Sequence, residues 1–143
     1  MKNLPLLAVI VLFFVGCKKN EYQFDEIEGG SIDLVETNWS LYKSDEIPSV
    51  VQNGMRFPII SFGKDGFSVK SSCNHMGAEM ELTNSLFNFK SFRTTYLACH
   101  GNPILIEGYF YELVDTNIFY KYSKGILYLF KDDKLIGSFK RID

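Results

Sequence analysis

The stretch ILYLFKDDKLIGSFKRI, residues 126–142, indicates the fold class. Two short runs rich in β-branched and aromatic residues flank a polar turn, Lys131-Asp132-Asp133-Lys134. A third run, NIFYKY at 117–122, precedes them and is joined through Ser123-Lys124-Gly125. Runs of this composition between turn residues are typical of an antiparallel meander, so three consecutive strands are expected here.

The same pattern continues towards the N-terminus. RFPIISF and FSVKSS flank a turn at 63–66, and AEMEL and SLFNF flank Thr83-Asn84, so each pair predicts a hairpin. If the arm FSVKSS runs on to Cys73, the alternation of the strand points that thiol inward. Glu79 and Glu81 share one face and are expected to form the solvated side of a strand rather than an acid–base pair.

One helix is expected. PILIEGYFYELVDT, residues 103–116, carries Ile104, Leu105, Phe110, Leu113 and Val114 close to a 3.6-residue spacing, with a proline suited to the first turn. The sequence therefore predicts a mainly β (α+β) protein: a small antiparallel β-barrel or strongly curled sheet of seven to eight strands with one packed helix.

Composition limits the classes of partner. The 143 residues are 46% hydrophobic with a formal net charge of -2, as expected for one globular domain, and a monomer is expected. No cluster of lysine and arginine could neutralise a row of phosphates, so nucleic acid is excluded as a partner.

The N-terminus has the pattern of an export signal. An apolar run from Leu4 to Gly16 follows Lys2, and thirteen helical residues span about 20 Å, short of the ~30 Å hydrocarbon layer. Residues 1–16 are therefore interpreted as a signal peptide. The residues before Cys17 resemble the lipobox of bacterial lipoproteins, in which the cysteine is acylated, although Phe14 departs from the usual leucine.

If this resemblance holds, the mature protein is anchored in a membrane, because several acyl chains hold a protein firmly. Lys18 stands where an aspartate would retain such a lipoprotein at the inner membrane, which implies the outer membrane without fixing which of its faces is occupied. Residues 17–37 are polar and acidic with a Gly29-Gly30 break, and they are expected to form a flexible tether to a domain at 38–143.

Five short motifs follow one another in the domain: Asn38-Trp39-Ser40-Leu41; Cys73-Asn74 with Gly77; Thr95-x-x-Ala98-Cys99; Glu107-x-x-Phe110-x-x-Leu113; and LYLFKDDKLIGSFKR. In this order they resemble the META domain of the HslJ-type heat-shock proteins. Ser72 departs from the glycine usual before Cys-Asn, and Glu79 stands where an aromatic residue is common, so this loop differs from the family pattern. The resemblance implies a curled antiparallel sheet with a packed helix, a link to envelope stress and antibiotic tolerance, and no established catalytic residues.

The cysteines leave several chemistries open. With Cys17 acylated, Cys73 and Cys99 remain, and a disulfide between them is the leading interpretation in an oxidising compartment. Two buried free thiols are the next alternative. A zinc site would take Cys73, His75, Cys99 and His100, but adjacent Cys99 and His100 suit one ion poorly. A thiol nucleophile would use His75 or His100 as its base. No cofactor motif is present.

Three functions follow from these features. The leading hypothesis is a non-enzymatic, lipid-anchored envelope protein that binds or protects something under stress, with an unknown protein or small-molecule ligand. The alternative is a metal- or thiol-dependent enzyme using Cys73, Cys99 and a histidine. The third is a partner-binding module with Tyr109, Tyr111 and Tyr120 among its recognition residues, although such tyrosines are more often packed.

Overall fold

Eight antiparallel strands close into a barrel in chain order, each paired with the next and the last with the first. The computed structural model describes residues 24–44, 58–71, 73–98, 100, 102–114 and 116–143. Within these ranges the elements are β1 Thr37–Lys43, β2 Ile59–Phe62, β3 Gly66–Lys70, β4 His75–Leu82, β5 Leu86–Thr94, α1 Asn102–Tyr111, β6 Asn117–Ser123, β7 Ile126–Lys131 and β8 Lys134–Arg141. The predicted fold class, an antiparallel barrel with one helix, is confirmed.

The meander at the C-terminus turns as its sequence predicts. Lys124 and Gly125 have φ of 51° and 80°, and Asp132 and Asp133 have φ of 49° and 64°. Positive φ at both central residues is the mark of the type I′ turn, whose twist matches that of the strands it joins. These two turns therefore set the register of β6, β7 and β8.

Side chains fill the inside of the barrel. Phe62 and Phe87 lie 5.7 Å apart between ring centroids, and Phe67 and Phe89 lie 4.3 Å apart. Trp39 is fully buried at the wall that β1 and β8 close, where Trp39 pairs with Arg141. Dense packing of aromatic rings makes the interior a core rather than a channel.

Helix α1 connects β5 to β6 and lies at one end of the barrel, called here the helix end. Its buried positions are Ile106, Glu107, Tyr109 and Phe110, and Leu113 follows in the next turn. The predicted apolar stripe was wrong at Ile104 and Leu105, whose exposed fractions are 53% and 51%. Almost the whole helix is apolar, so residue spacing alone could not reveal which side faces inward.

The expected flexible tether was wrong from Phe24 onwards. Residues 24–36 form a strap that begins with a short 3₁₀ turn, pairs through Gly30 with Tyr122, and contributes the fully buried Leu34 to the core. A few well-spaced apolar side chains were enough to pack this acidic segment. The folded part thus begins before residue 38, whereas the signal peptide and Cys17 lie outside the described residues.

The loop after β3 differs from its prediction. Strand β3 ends at Lys70, so Cys73 lies half-buried in the β3–β4 loop, and the strand alternation that predicted an inward-pointing thiol does not extend to it.

No helix in the described ranges is long and apolar enough to span a membrane.

Candidate functional site

A buried carboxylate stands at the helix end. Glu107, on the inner side of α1, is only 8% exposed. Its Oε1 accepts hydrogen bonds from the Asn74 backbone N–H at 2.9 Å and from Ser71 Oγ at 2.9 Å. Its Oε2 accepts from Asn74 Nδ2 at 2.9 Å. These donors are neutral, and hydrogen bonds to a charged acceptor are stronger than those between neutral groups.

The Asn74 side chain connects that carboxylate to the segment after β5. Its Oδ1 accepts from Thr95 Oγ1 at 2.9 Å and from the Leu97 backbone N–H at 2.9 Å. Its Nδ2 also points at the Leu97 carbonyl oxygen, at 3.4 Å. One amide therefore uses both its donor and its acceptor capacity, as a buried amide must. Ser71, Asn74, Thr95 and Glu107 are called the polar cluster below.

The polar cluster joins three pieces of chain that are distant in sequence. Ser71 and Asn74 come from the β3–β4 loop, Thr95 from the segment after β5, and Glu107 from α1. Ser71 Oγ also lies 2.8 Å from the Asn74 carbonyl oxygen and accepts from the Asn74 N–H at 3.0 Å, which shapes the loop into a tight turn. Since both carboxylate oxygens already accept hydrogen bonds, the arrangement suits a structural tie that orients the helix and the neighbouring segment.

The segments of the polar cluster lie within the part of the chain that matches a known family. The family model of the META domain matches residues 32–141. The chain belongs to the META domain family. Its match begins six residues before the boundary expected from the motifs, in the strap that the structure packs on the barrel.

Two solved structures share the fold of this META domain. An NMR structure of a protein from Burkholderia xenovorans has a TM-score of 0.59 at 20% identity, over 76% of this chain and 83% of its own. A second NMR structure has a TM-score of 0.54 at 21% identity, over 75% of this chain and 90% of its own. At such identities the likeness concerns the fold alone. No curated protein matches the sequence.

Of the candidate metal and thiol residues, Cys73 and His75 adjoin the polar cluster: the Cys73 backbone N–H donates to Ser71 Oγ at 3.2 Å. His75 begins β4, is exposed, and donates its backbone N–H to Thr95 Oγ1 at 3.0 Å. His100 is also exposed, and Cys73 is half-buried one residue before Asn74. Cys99 lies outside the described residues, within which no three His, Cys, Asp or Glu side chains are grouped to hold a metal ion.

The tyrosines proposed for recognition have different environments. Tyr109 and Tyr120 are 5% and 2% exposed and belong to the core, whereas Tyr111 is 42% exposed and packs against Phe92 at 5.1 Å between centroids. Two of the three are thus packing residues, and their polar ends bond to backbone: Tyr109 donates to the Ile136 carbonyl oxygen at 2.7 Å.

Several exposed apolar residues lie in the two segments that follow β5 and begin α1, each of which contributes a residue to the polar cluster. Tyr96 is 92% exposed and Leu97 is 62% exposed, and Ile104 and Leu105 expose about half of their surface. The Leu97 backbone N–H is hydrogen-bonded to the Asn74 side chain, and that side chain is hydrogen-bonded to Glu107. Glu107 follows Leu105 by two positions in α1. We call these four residues the apolar end.

Asn74, Thr95 and Glu107 belong to the sequence motifs, but no role was predicted for them, and Ser71 was not predicted as a site residue. One signal could have found the cluster: Glu107 is the only charged residue in the helix NPILIEGYFY. A single acidic residue within an apolar helix is either exposed to solvent or buried against hydrogen-bond donors.

Proposed function

We propose that this protein is a non-enzymatic, lipid-anchored protein of the cell envelope whose META barrel binds apolar surfaces of other proteins under stress. The observation that carries the proposal is the apolar end, where a tyrosine that is 92% exposed stands beside an exposed leucine. Large apolar side chains that cluster in water favour a binding role, since they gain free energy when a partner covers them.

The polar cluster gives this surface a fixed shape. Leu97 is bonded to the Asn74 side chain through both its N–H and its carbonyl group, so the backbone that presents its side chain is fixed. Ile104 and Leu105 lie in the first half of α1, whose orientation depends on the buried Glu107. A surface ordered before binding loses less conformational entropy when it binds.

Binding by the apolar end can be tested with purified protein and an aggregating client. We expect the parent protein to reduce light scattering from a heat-denatured client, and Leu97→Asp with Leu105→Asp to abolish most of that effect. The matched control is Ile142→Asp at the opposite end of the barrel, because Ile142 is 51% exposed but lies away from the cluster. Equal protection by the double variant and the control would refute the role of the apolar end.

The lipid anchor rests on the sequence. An apolar run of signal-peptide length precedes Cys17, and an alkyne fatty acid fed to cells should therefore label the protein. Cys17→Ala should lose the label and the membrane fraction, whereas Cys73→Ala should keep both. A Cys17→Ala chain that stayed labelled and membrane-bound would contradict the anchor, and fractionation of the envelope would test the expected outer-membrane location.

We also propose the Cys73–Cys99 disulfide. The support for this disulfide is that the two segments are close together. Asn74 directly follows Cys73, and the Asn74 side chain is hydrogen-bonded to Leu97, which precedes Cys99 by two residues. Disulfide formation requires Cα atoms within about 7 Å of one another, which neighbouring segments can satisfy. The bond would further fix the base of the apolar end.

A further inference from the structure

A groove on the outer wall of the barrel lies beside the strap. It has a volume of about 190 Å³ and crosses the faces of β7, β8 and β1. Its lining includes Ile27 of the strap, Tyr42, Ile126, Tyr128 and Leu135. The groove is therefore mainly apolar although it opens outwards.

The described chain begins on this same wall. The Phe24 ring packs 5.1 Å from Phe130 of β7 and 5.9 Å from Phe119 of β6. Lys121 holds the strap in place, because its Nζ donates to the Phe24 and Ile27 carbonyl oxygens at 2.6 Å and 3.2 Å. Ile27 is thus both a fixed part of the strap and one edge of the groove.

The length of chain between the proposed anchor and this wall is short. Seven residue steps separate Cys17 from Phe24. At full extension they reach about 25 Å, and as a flexible coil about 15 Å. Because the strap is packed on the barrel from Phe24 onwards, it adds no flexible length between Cys17 and this wall. An acylated Cys17 would therefore hold this wall close to the lipid headgroups.

The side chains of the wall suit that position. Tyr42 is 50% exposed, and the Lys140 ammonium lies 3.7 Å from the centroid of its ring. Lys43 also lines the groove. Aromatic rings with lysines beside them are favoured at the boundary between lipid and water, where the ring meets the apolar layer and the ammonium meets anionic headgroups.

The opposite wall has a different character. On β4 and β5, Glu79 pairs with Arg93 at 3.5 Å, and Glu81 pairs with Lys90. These four charged side chains keep their exposed faces in water. The wall with the groove thus presents aromatic and aliphatic side chains, whereas the opposite wall presents ion pairs. This difference is expected if the wall with the groove lies on a membrane.

We propose that the wall formed by β7, β8 and β1 rests on a membrane surface, with the groove receiving apolar parts of the lipids. This inference rests on the lipid anchor of the proposed function. It adds an orientation: the barrel lies against the bilayer on a defined wall rather than moving freely at the end of a long tether.

The test uses the acylated full-length mature chain in vesicles of phosphatidylethanolamine and phosphatidylglycerol. A fluorophore is attached at Tyr42→Cys, or at Lys90→Cys as the matched control on the opposite wall, and the parent chain measures labelling of its own cysteines. Thermal unfolding checks that each variant folds. Nitroxide-bearing lipids should quench the label at 42 several-fold more than the label at 90.

The outcomes separate the anchor from the orientation. A chain that floats with the vesicles but shows equally weak quenching at both positions overturns the inference and leaves the anchor intact. A chain that does not float refutes the anchor, and the wall is then tested with labelled Cys17→Ala chain added to the same vesicles, where an unquenched label at 42 overturns the inference. A label at 42 that is shielded from aqueous iodide without vesicles would mean that another part of the chain, or a second copy, covers the groove, which also overturns it.

Discussion

Glu107 is the residue on which the helix end depends. It places a carboxylate where the neighbouring helix positions are apolar, and three hydrogen bonds from Ser71 and Asn74 compensate its burial. Removing one partner of such a network leaves buried polar groups unsatisfied, which costs more than the hydrogen bond itself contributes.

The substitution Glu107→Gln tests this role with little change in shape. The new amide nitrogen would meet either the Asn74 amide or the Asn74 N–H and Ser71 hydroxyl, all of which donate to the carboxylate, so at least one donor would lose its acceptor. We expect a loss of about 1–3 kcal/mol in the free energy of unfolding, measured by urea titration. The control Glu112→Gln, at an exposed position just beyond α1, should change it by less than about 0.5 kcal/mol.

An unchanged stability of Glu107→Gln would mean that the carboxylate is not a structural tie, and a binding role would then have to be sought for it.

The polar cluster could be predicted only in part from the sequence. Its members come from loops and a helix up to 36 positions apart, as for Ser71 and Glu107. Such contacts leave no periodic signal, because periodicity reports the environment within one element.

At the scale of elements, the helix docks onto β8 through a glycine. A Cβ added at Gly137 would lie 2.8 Å from the Tyr109 hydroxyl and 3.2 Å from the Phe139 ring. The same hydroxyl donates to the neighbouring Ile136 carbonyl oxygen. The absence of a side chain at 137 is thus what allows Tyr109 to reach the strand.

Gly137→Ala should therefore push α1 away from the barrel wall. We expect it to destabilise the protein by about 1–3 kcal/mol in urea unfolding, the usual cost of overpacking a core. Gly108→Ala is the matched control, because a Cβ there meets nothing within 4 Å and alanine favours the helix by about 0.5–1 kcal/mol. A Gly137→Ala protein as stable as the parent would contradict this account of docking.

The strap is held at its far end by Tyr120. The phenol hydroxyl lies 3.4 Å from the Ile32 carbonyl oxygen and 3.2 Å from that of Thr83, so it connects the strap to the β4–β5 turn. Burial, and then the charge of Asp33, raise the pKa of Tyr120 above its usual value of 10.0. The folded state therefore favours the neutral phenol.

This shift predicts how stability depends on pH. Because the folded pKa is raised, its contribution is fully present below about pH 10 and is lost as the pH rises through the folded value. Tyr120→Phe should cost about 0.5–1.5 kcal/mol at neutral pH and lose stability less steeply than the parent above pH 10, in urea titrations at several pH values. Tyr96→Phe, at a 92% exposed ring, should follow the parent curve, and a parallel fall of Tyr120→Phe would contradict the prediction.

The strands and turns were the predictable elements, whereas the strap was not. Each predicted hairpin joins strands next to one another in sequence, and turn residues such as Asp132 and Asp133 adopt the positive φ that the turns need. The strap has few apolar residues, and only their partners on the barrel, such as Phe130 for Phe24, show that they pack against it. The buried side of α1 escaped prediction for the same reason.

At the scale of the whole molecule, closure joins strands from the two ends of the domain. β1 pairs with β8, with Trp39 opposite Arg141 and Leu41 opposite Phe139. No local pattern announces this pairing, although closure is a common way to remove exposed strand edges. The barrel could therefore be predicted only as one of two forms, with an open curled sheet as the other.

The proposed Cys73–Cys99 bond belongs to this scale, because it would close a loop of 26 positions that contains β4 and β5. The chain-entropy estimate for such a loop is about 3.5 kcal/mol, from which strain subtracts. We expect Cys99→Ser to lower the free energy of unfolding by up to that amount, and a reducing agent to lower the parent to nearly the same level. Cys99→Ser itself should not respond to the reductant, which controls for general effects of the reagent.

Intact mass should show the oxidised parent lighter than its reduced form by two hydrogen atoms. A parent with unchanged mass and stability under reduction would contradict the disulfide, and stoichiometric zinc in the same sample would favour metal ligation by these cysteines instead.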